Sequence, residues 1–261
     1  MPPVKQLLFT CRWEQHVVRE TLQGMLHTPG FVNEWAIQIL AMPFSLRTFR
    51  ARLAKNRPDA FFLWHMPPGA DDDAAAARRT GLVVVVDARR RGKAFAHCLV
   101  DHAAVGRMAA DHFLEKRLPH FAFLGCRDIA FFQRQLQGFR QRLREAGHDC
   151  ATFLCPPSLN PMDPIRHTRL PREVARWARD LPRPCALFAG TDRLGVLALR
   201  LCRNLGLKTP EEMAVLGVGN DSLLCHMVHP ALSSVRLPYA EMDARKGRVD
   251  HVAQEIGRAH V

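Results

Sequence analysis

Residues 214–239 read AVLGVGNDSLLCHMVHPALSSVRLPY. Ala214–Val218 has the length and apolar content of a buried strand. Gly219–Asp221 is a short polar turn, and a weak helical stretch follows it. LSSVR makes a second strand, and Pro238 closes it because proline cannot extend a central strand. Two buried strands joined by a turn and a helix are the repeating unit of a parallel α/β sheet.

The rest of the chain repeats that alternation. Strand-length apolar runs occur at KQLLFTC (5–11), WAIQIL (35–40), AFFLWHM (60–66), GLVVVVD (81–87) and AHCLVD (96–101). HFAFLG (120–125), CATFLC (150–155) and CALFAG (185–190) continue the series. Between them lie stretches with helical apolar spacing: Glu14–His27, Leu46–Lys55, His102–Lys116, Ile129–Ala146, Pro171–Asp180 and Asp192–Leu205. Asp101 stands where an N-cap is expected, and Gly147 and Gly206 where helices stop. The expected fold is α/β, with about ten strands in parallel sheets covered by helices on both faces. The strands divide near Asp101, which favours two doubly wound subdomains over one wide sheet. In such sheets ligands bind beyond the carboxyl ends of the strands, so two subdomains imply a ligand cleft.

Composition excludes several functions. The 261 residues are 48% apolar, enough for real cores. The net charge is +12, from 37 Lys and Arg against 25 Asp and Glu. Basic charge is one footprint of a nucleic-acid partner, but here the arginines are scattered and only RRRGK (89–93) is dense. A GC-rich coding bias explains scattered arginine equally well. No apolar run approaches a membrane span, and the N-terminus lacks the pattern of a secretory signal. The eight cysteines form no C-x-x-C pair and read as reduced, buried thiols of a cytoplasmic protein. Thirteen histidines include no H-x-x-x-H, so no metal site is expected. G-x-S-x-G, Walker and G-x-G-x-x-G motifs are absent as well, which leaves an enzyme on a Rossmann-like sheet without a catalytic cluster.

Two segments carry a family resemblance: DHAAVGRMAADHFLEKRLPHFAFLG (101–125) and GTDRLGVLALRLCRNLGLKTPEEMAVLGVGNDSLLCHMVHPALSSVRLP (190–238). They resemble the C-terminal subdomain of lactose/ribose-repressor-type sugar sensors. The early strand KQLLFTC and the turn GNDSLLC draw the likeness toward xylose operon regulators within that group. The resemblance spans residues 4–245, diffusely over the first hundred and specifically from Asp101 to Pro238. It implies a periplasmic-binding-protein-like fold of two Rossmann-like subdomains around a ligand cleft. One subdomain would comprise 1–101 with 238–254, the other 102–237, with the chain returning at Leu237–Pro238. It further implies a cytoplasmic transcriptional regulator, not an enzyme and without cofactor. Its partners would be a pentose-like sugar effector, a second copy of the chain, and operator DNA read by a C-terminal domain with two helix-turn-helix units. A stand-alone or transporter-linked sugar-binding protein shares the fold and is the alternative.

The tail departs from that pattern. Asp243 replaces an expected glycine, and one back-translation of IGRAHV (256–261) looks like the start of a common sequencing adapter. The expectation is therefore a C-terminally incomplete chain whose residues 255–261 stand outside the fold and whose first subdomain lacks its last strands.

Sugar recognition uses carboxylates, amides and arginines on hydroxyls, with an aromatic face under the ring. Asp192 matches the family's strand-end aspartate, and its simpler reading is a helix N-cap. Asn220 matches the turn asparagine. Gly219 stands where relatives place a ligand aspartate, with Asp221 as the substitute candidate. The family's ligand arginine falls on Gln135, with Arg134 beside it. From the first half come Arg12 and Trp13 after the first strand, Trp64 at the end of the third, and Asp87 at the end of the fourth.

Overall fold

The computed structural model describes residues 3–12, 15–64, 69–70, 72–73, 82–85, 96–97, 100–156, 170–239 and 255–257. The chain divides into two compact units, Met1–Val100 with Pro238–Val252, and Asp101–Leu237 with Ala253–Val261.

The first unit is built on a five-stranded sheet in the order β2-β1-β3-β4-β5. Its strands are β1 (Lys5–Cys11), β2 (Trp35–Ala41), β3 (Ala60–Leu63), β4 (Leu82–Val85) and β5 (Ala96–His97). Every pairing is parallel, with Phe9 opposite Phe62 at the centre. Those two rings stack at 4.8 Å. Helices α1 (His16–His27), α2 (Phe31–Glu34) and α3 (Leu46–Asn56) follow the first two strands. Helix α1 buries Val18, Leu22 and Met25, on the apolar side that its sequence spacing implies. Phe49 of α3 joins Leu8, Phe61 and Leu63 in the core.

The second unit holds a six-stranded sheet in the order β11-β10-β9-β8-β6-β7. Its strands are β6 (His120–Cys126), β7 (Ala151–Cys155), β8 (Cys185–Ala189), β9 (Met213–Gly219), β10 (Ser233–Arg236) and β11 (Glu255–Gly257). All pair in parallel except β11, which runs antiparallel to β10. So three residues of the tail that the sequence reading sets aside form an edge strand. The helices are α4 (His102–Glu115), α5 (Ala130–Glu145), α6 (Leu170–Arg179), α7 (Asp192–Asn204) and α8 (Ser222–His226). Asp101 caps α4 as expected, its Oδ1 accepting from the N–H groups of Ala103 and Ala104 at 3.0 and 2.9 Å. The centre of the unit is a ring cluster: Phe123 and Phe139 each pack on Phe188, at 5.4 and 5.1 Å, and Phe113 meets Phe139 edge-on.

Helices α4 and α5 cross backbone to backbone. A Cβ on Gly106 would stand 2.0 Å from the Gln135 carbonyl oxygen, and one on Gly138 would stand 2.0 Å from that of Ala103. Backbone cannot yield as a side-chain tip can, so both positions require glycine. The contact sets the depth of α5, and with it the height of the Gln135 side chain above the sheet. Gly138→Ala is expected to lower stability by about 1–3 kcal/mol or more, read as a drop in the urea midpoint followed by circular dichroism. An unchanged midpoint would refute the tight crossing.

Candidate functional site

In the second unit the chain leaves β6 for one edge (β7) and later returns through β8 toward the other, so β6 and β8 flank the switch in strand order. At such a point the connections diverge and leave a crevice at the carboxyl ends. Four segments converge there: 127–135 after β6, 190–192 after β8, 219–221 after β9, and the end of β10.

A buried carboxylate ties three of them together. Asp192 is 3% exposed and stands one residue inside α7, whose N-cap is Thr191, not Asp192. Its Oδ1 accepts from the Ser234 hydroxyl at 2.5 Å, and its Oδ2 accepts from the Asp221 backbone N–H at 2.7 Å. Ser234 Oγ in turn accepts from the Asn220 N–H at 2.9 Å. Gly217 keeps this space open, since a Cβ there would sit 2.5 Å from Asp192 Oδ1. A buried carboxylate persists only when such donors replace water. The charges of Asp192 and Asp221 add to burial in pushing the Cys225 thiol up to about 12.

The turn after β9 is shaped by its backbone. Gly219 has φ +128 and Asn220 φ +55. Residues with a side chain rarely adopt the first, whereas asparagine tolerates the second. An aspartate at 219 would be strained in this turn, which gives a physical reason for the departure at that position. Asp221 caps α8, with Oδ1 accepting from Leu223 and Leu224 N–H.

Gln135 lies on the second turn of α5 and is fully buried. Neither Oε1 nor Nε2 has a hydrogen-bond partner among the described residues. Oε1 lies against Gly190, where a Cβ would stand 2.6 Å away, and Phe132 borders the same glycine. Such an amide carries an unmet desolvation cost of about 1–3 kcal/mol, and a ligand or water bonding to it would remove that cost. Arg134, half-buried, neighbours His102 of α4, whose ring packs on Phe131 at 5.3 Å. The His102 ring keeps some surface in solvent, but its Nδ1 is sealed and has no hydrogen-bond partner among the described residues. Burial, then the Arg134 charge, lower its pKa from 6.5 to about 4, with Asp101 opposing them.

The candidates of the first unit occupy the carboxyl end of its own sheet. Arg12 follows β1 and is exposed. Trp64, just past β3, is half-buried against Phe62 at 6.2 Å and Tyr239 at 5.4 Å, so its ring faces are engaged in packing. The Trp64 backbone N–H donates to the Thr10 carbonyl at 3.0 Å, and the buried Thr10 hydroxyl has no hydrogen-bond partner among the described residues. Trp13 and Asp87 lie outside the described residues. Thus Arg134, Gln135, Asp192, Asn220 and Asp221 come to one sheet end, and Arg12 and Trp64 to the other sheet's end.

Sequence reasoning missed Ser234, His102 and Thr10. Ser234 left a signal: a serine at a core-facing position of an apolar strand must find a partner. His102 and Thr10 left none, because only the fold decides whether their polar atoms are sealed.

Two outcomes follow. Ser234→Ala strips a donor from Asp192 and an acceptor from the Asn220 N–H. It is expected to cost about 1–3 kcal/mol in urea unfolding, with Ser233→Ala nearly neutral. For His102 the folded pKa is depressed, so the unfolded chain takes the proton first and stability falls as pH drops from 6.5 toward about 4. His102→Phe should flatten that limb by up to on the order of 3 kcal/mol. Parallel pH–stability curves for the two proteins would contradict the sealed ring.

Residues 110–245, more than half of the chain, match the family of periplasmic binding protein-like domains. The HTH-type transcriptional regulator DegA of Bacillus subtilis is 29% identical over 155 residues, which are 58% of this chain and 43% of that protein. The xylose operon regulatory protein of Escherichia coli is 25% identical over 154 residues, 58% of this chain and 38% of that protein. The chain therefore spans under half the length of these relatives. Among solved structures, a LacI-family transcriptional regulator from Enterococcus faecium with bound ribose has a TM-score of 0.69 at 15% identity, covering 90% of this chain and 85% of that one. With parallel sheets in both units and a match over most of the second, the chain belongs to the periplasmic binding protein-like domain family.

Proposed function

We propose that this chain is the effector-binding portion of a cytoplasmic transcriptional regulator, and that its effector is a pentose-like sugar. The observation that carries the reading is Gln135: a fully buried amide, both polar atoms unpartnered, at the strand-order switch of the second sheet. A neutral amide offers one acceptor and two donor protons, which suits a hydroxyl pair better than a phosphate or carboxylate. Arg134, beside Gln135 in the chain, and Asn220, in the turn after β9, are assigned as second and third contacts, and Phe132 borders Gly190 next to the amide. Asp192 has its oxygens in use and serves as the strut that places Asn220 and Asp221.

Regulators among the relatives and a ribose-bound structural neighbour support the class. No catalytic step is assigned. Operator DNA and a second copy of the chain are the further partners of this reading. The effector controls DNA binding only to the extent that its affinity differs between the DNA-bound and released states.

Calorimetric titration with D-ribose, D-xylose, L-arabinose and D-glucose tests the reading. At least one pentose should bind, and Gln135→Leu should weaken it by about 10- to 100-fold. The same substitution should leave the ligand-free chain as stable or more so, since it replaces an unsatisfied amide with an apolar side chain of similar size. Binding indifferent to Gln135→Leu, or no binding by any sugar, would overturn the proposal.

A further inference from the structure

The carboxyl end of the second sheet also holds two thiols that the sugar reading does not use. Cys126 is the last residue of β6 and Cys155 the last of β7, and the strand register pairs them directly. Register partners on neighbouring strands lie about 4.8 Å apart at Cα, with side chains on the same face. That spacing falls inside the range a disulfide spans, about 4.4–6.8 Å. Each thiol acts on the other's pKa, raising that of Cys126 and lowering that of Cys155. Because both residues end their strands, the backbone beyond them can adjust without breaking the ladder. One bond crosses the pair there: the Arg127 N–H donates to the Cys155 carbonyl at 2.9 Å.

We propose that Cys126 and Cys155 are a modification site, closing to an intramolecular disulfide when the chain meets a small hydroperoxide. The Cys155 thiolate attacks the peroxide oxygen, the O–O bond breaks, and water leaves after protonation, giving a sulfenic acid. The Cys126 sulfur then attacks that sulfur, the S–O bond breaks, and its proton leaves with the hydroxyl as a second water. Two thiols and one hydrogen peroxide give one disulfide and two waters. Both residues are 2% exposed or less, which restricts the oxidant to molecules near the size of water.

The electrostatics assign the roles. The neighbouring Cys126 thiol holds the Cys155 pKa below the ordinary thiol value, while Cys155 and burial push Cys126 well up. Burial pushes Cys150 up to about 11, Cys185 to about 12, Cys202 to about 11 and Cys225 to about 12. The thiolate is the nucleophile, so Cys155 attacks and Cys126 resolves. The inference is independent of which ligand the site takes.

The test treats the purified, reduced chain with hydrogen peroxide, alkylates the remaining thiols and maps peptides without reductant. The expected result is a peptide linking Cys126 to Cys155, a mass lower by two hydrogens, and recovery of both thiols on reduction. In Cys150→Ala the linked peptide should still form. Alkylation of both thiols after peroxide, or a disulfide formed only between chains, would overturn the proposal. The mapping on the unaltered chain decides the matter even where a variant fails to fold.

Discussion

The second unit depends on the carboxylate of Asp192. It lies at the start of α7 among apolar neighbours, where a negative charge is tolerated only if donors surround it. Ser234 and the Asp221 N–H are such donors, and Ser234 draws in the Asn220 N–H as well. One side chain thereby fastens the ends of β8, β9 and β10. Gly217 has no side chain because that carboxylate passes over it. Ser234 is buried on β10 for the same reason: it is the hydroxyl that the carboxylate requires.

The Gln135 amide stands in the opposite condition. Asp192 is satisfied from inside the protein, whereas Gln135 is left unsatisfied inside it. The close crossing of α4 and α5 holds Gln135 at that depth, and Gly190 leaves room for its Oε1. Folding thus carries the cost of a desolvated amide at the strand-order switch, where α/β sheets bind their ligands. A binding group kept dry and in place gains more from a ligand than one already paired with water.

Much of the architecture was legible in the sequence, because buried parallel strands read as apolar runs and helices announce their ends. Asp101 before α4, and Gly147 and Gly206 after α5 and α7, mark boundaries by local chemistry alone; both glycines have positive φ. For the candidate residues, the sequence indicated their nearness to strand ends but not their contacts. Asp192 looked equally like a ligand group or a helix cap; its carboxylate braces β9 and β10 while Thr191 caps the helix. Trp64 stood only as one candidate contact, and its ring lies against Phe62 and Tyr239. Gly219 looked like a lost aspartate, yet its φ of +128 makes glycine the natural occupant. Each of these turns on contacts or backbone angles that arise only after distant segments meet. The pairing of Cys126 with Cys155 was invisible for the same reason, since strand register is a property of the sheet and not of either strand.

On our proposal, the switch point of the second sheet is a sugar-binding surface built around Gln135 and braced by Asp192. The most direct measurement is a titration of the isotope-labelled chain with D-ribose and D-xylose, followed by amide and side-chain chemical shifts. The account predicts saturable shifts concentrated in 127–135, 190–192 and 219–221, with the Gln135 side-chain amide protons among the largest movers. Saturable shifts confined to other elements, or none at millimolar sugar, would contradict it.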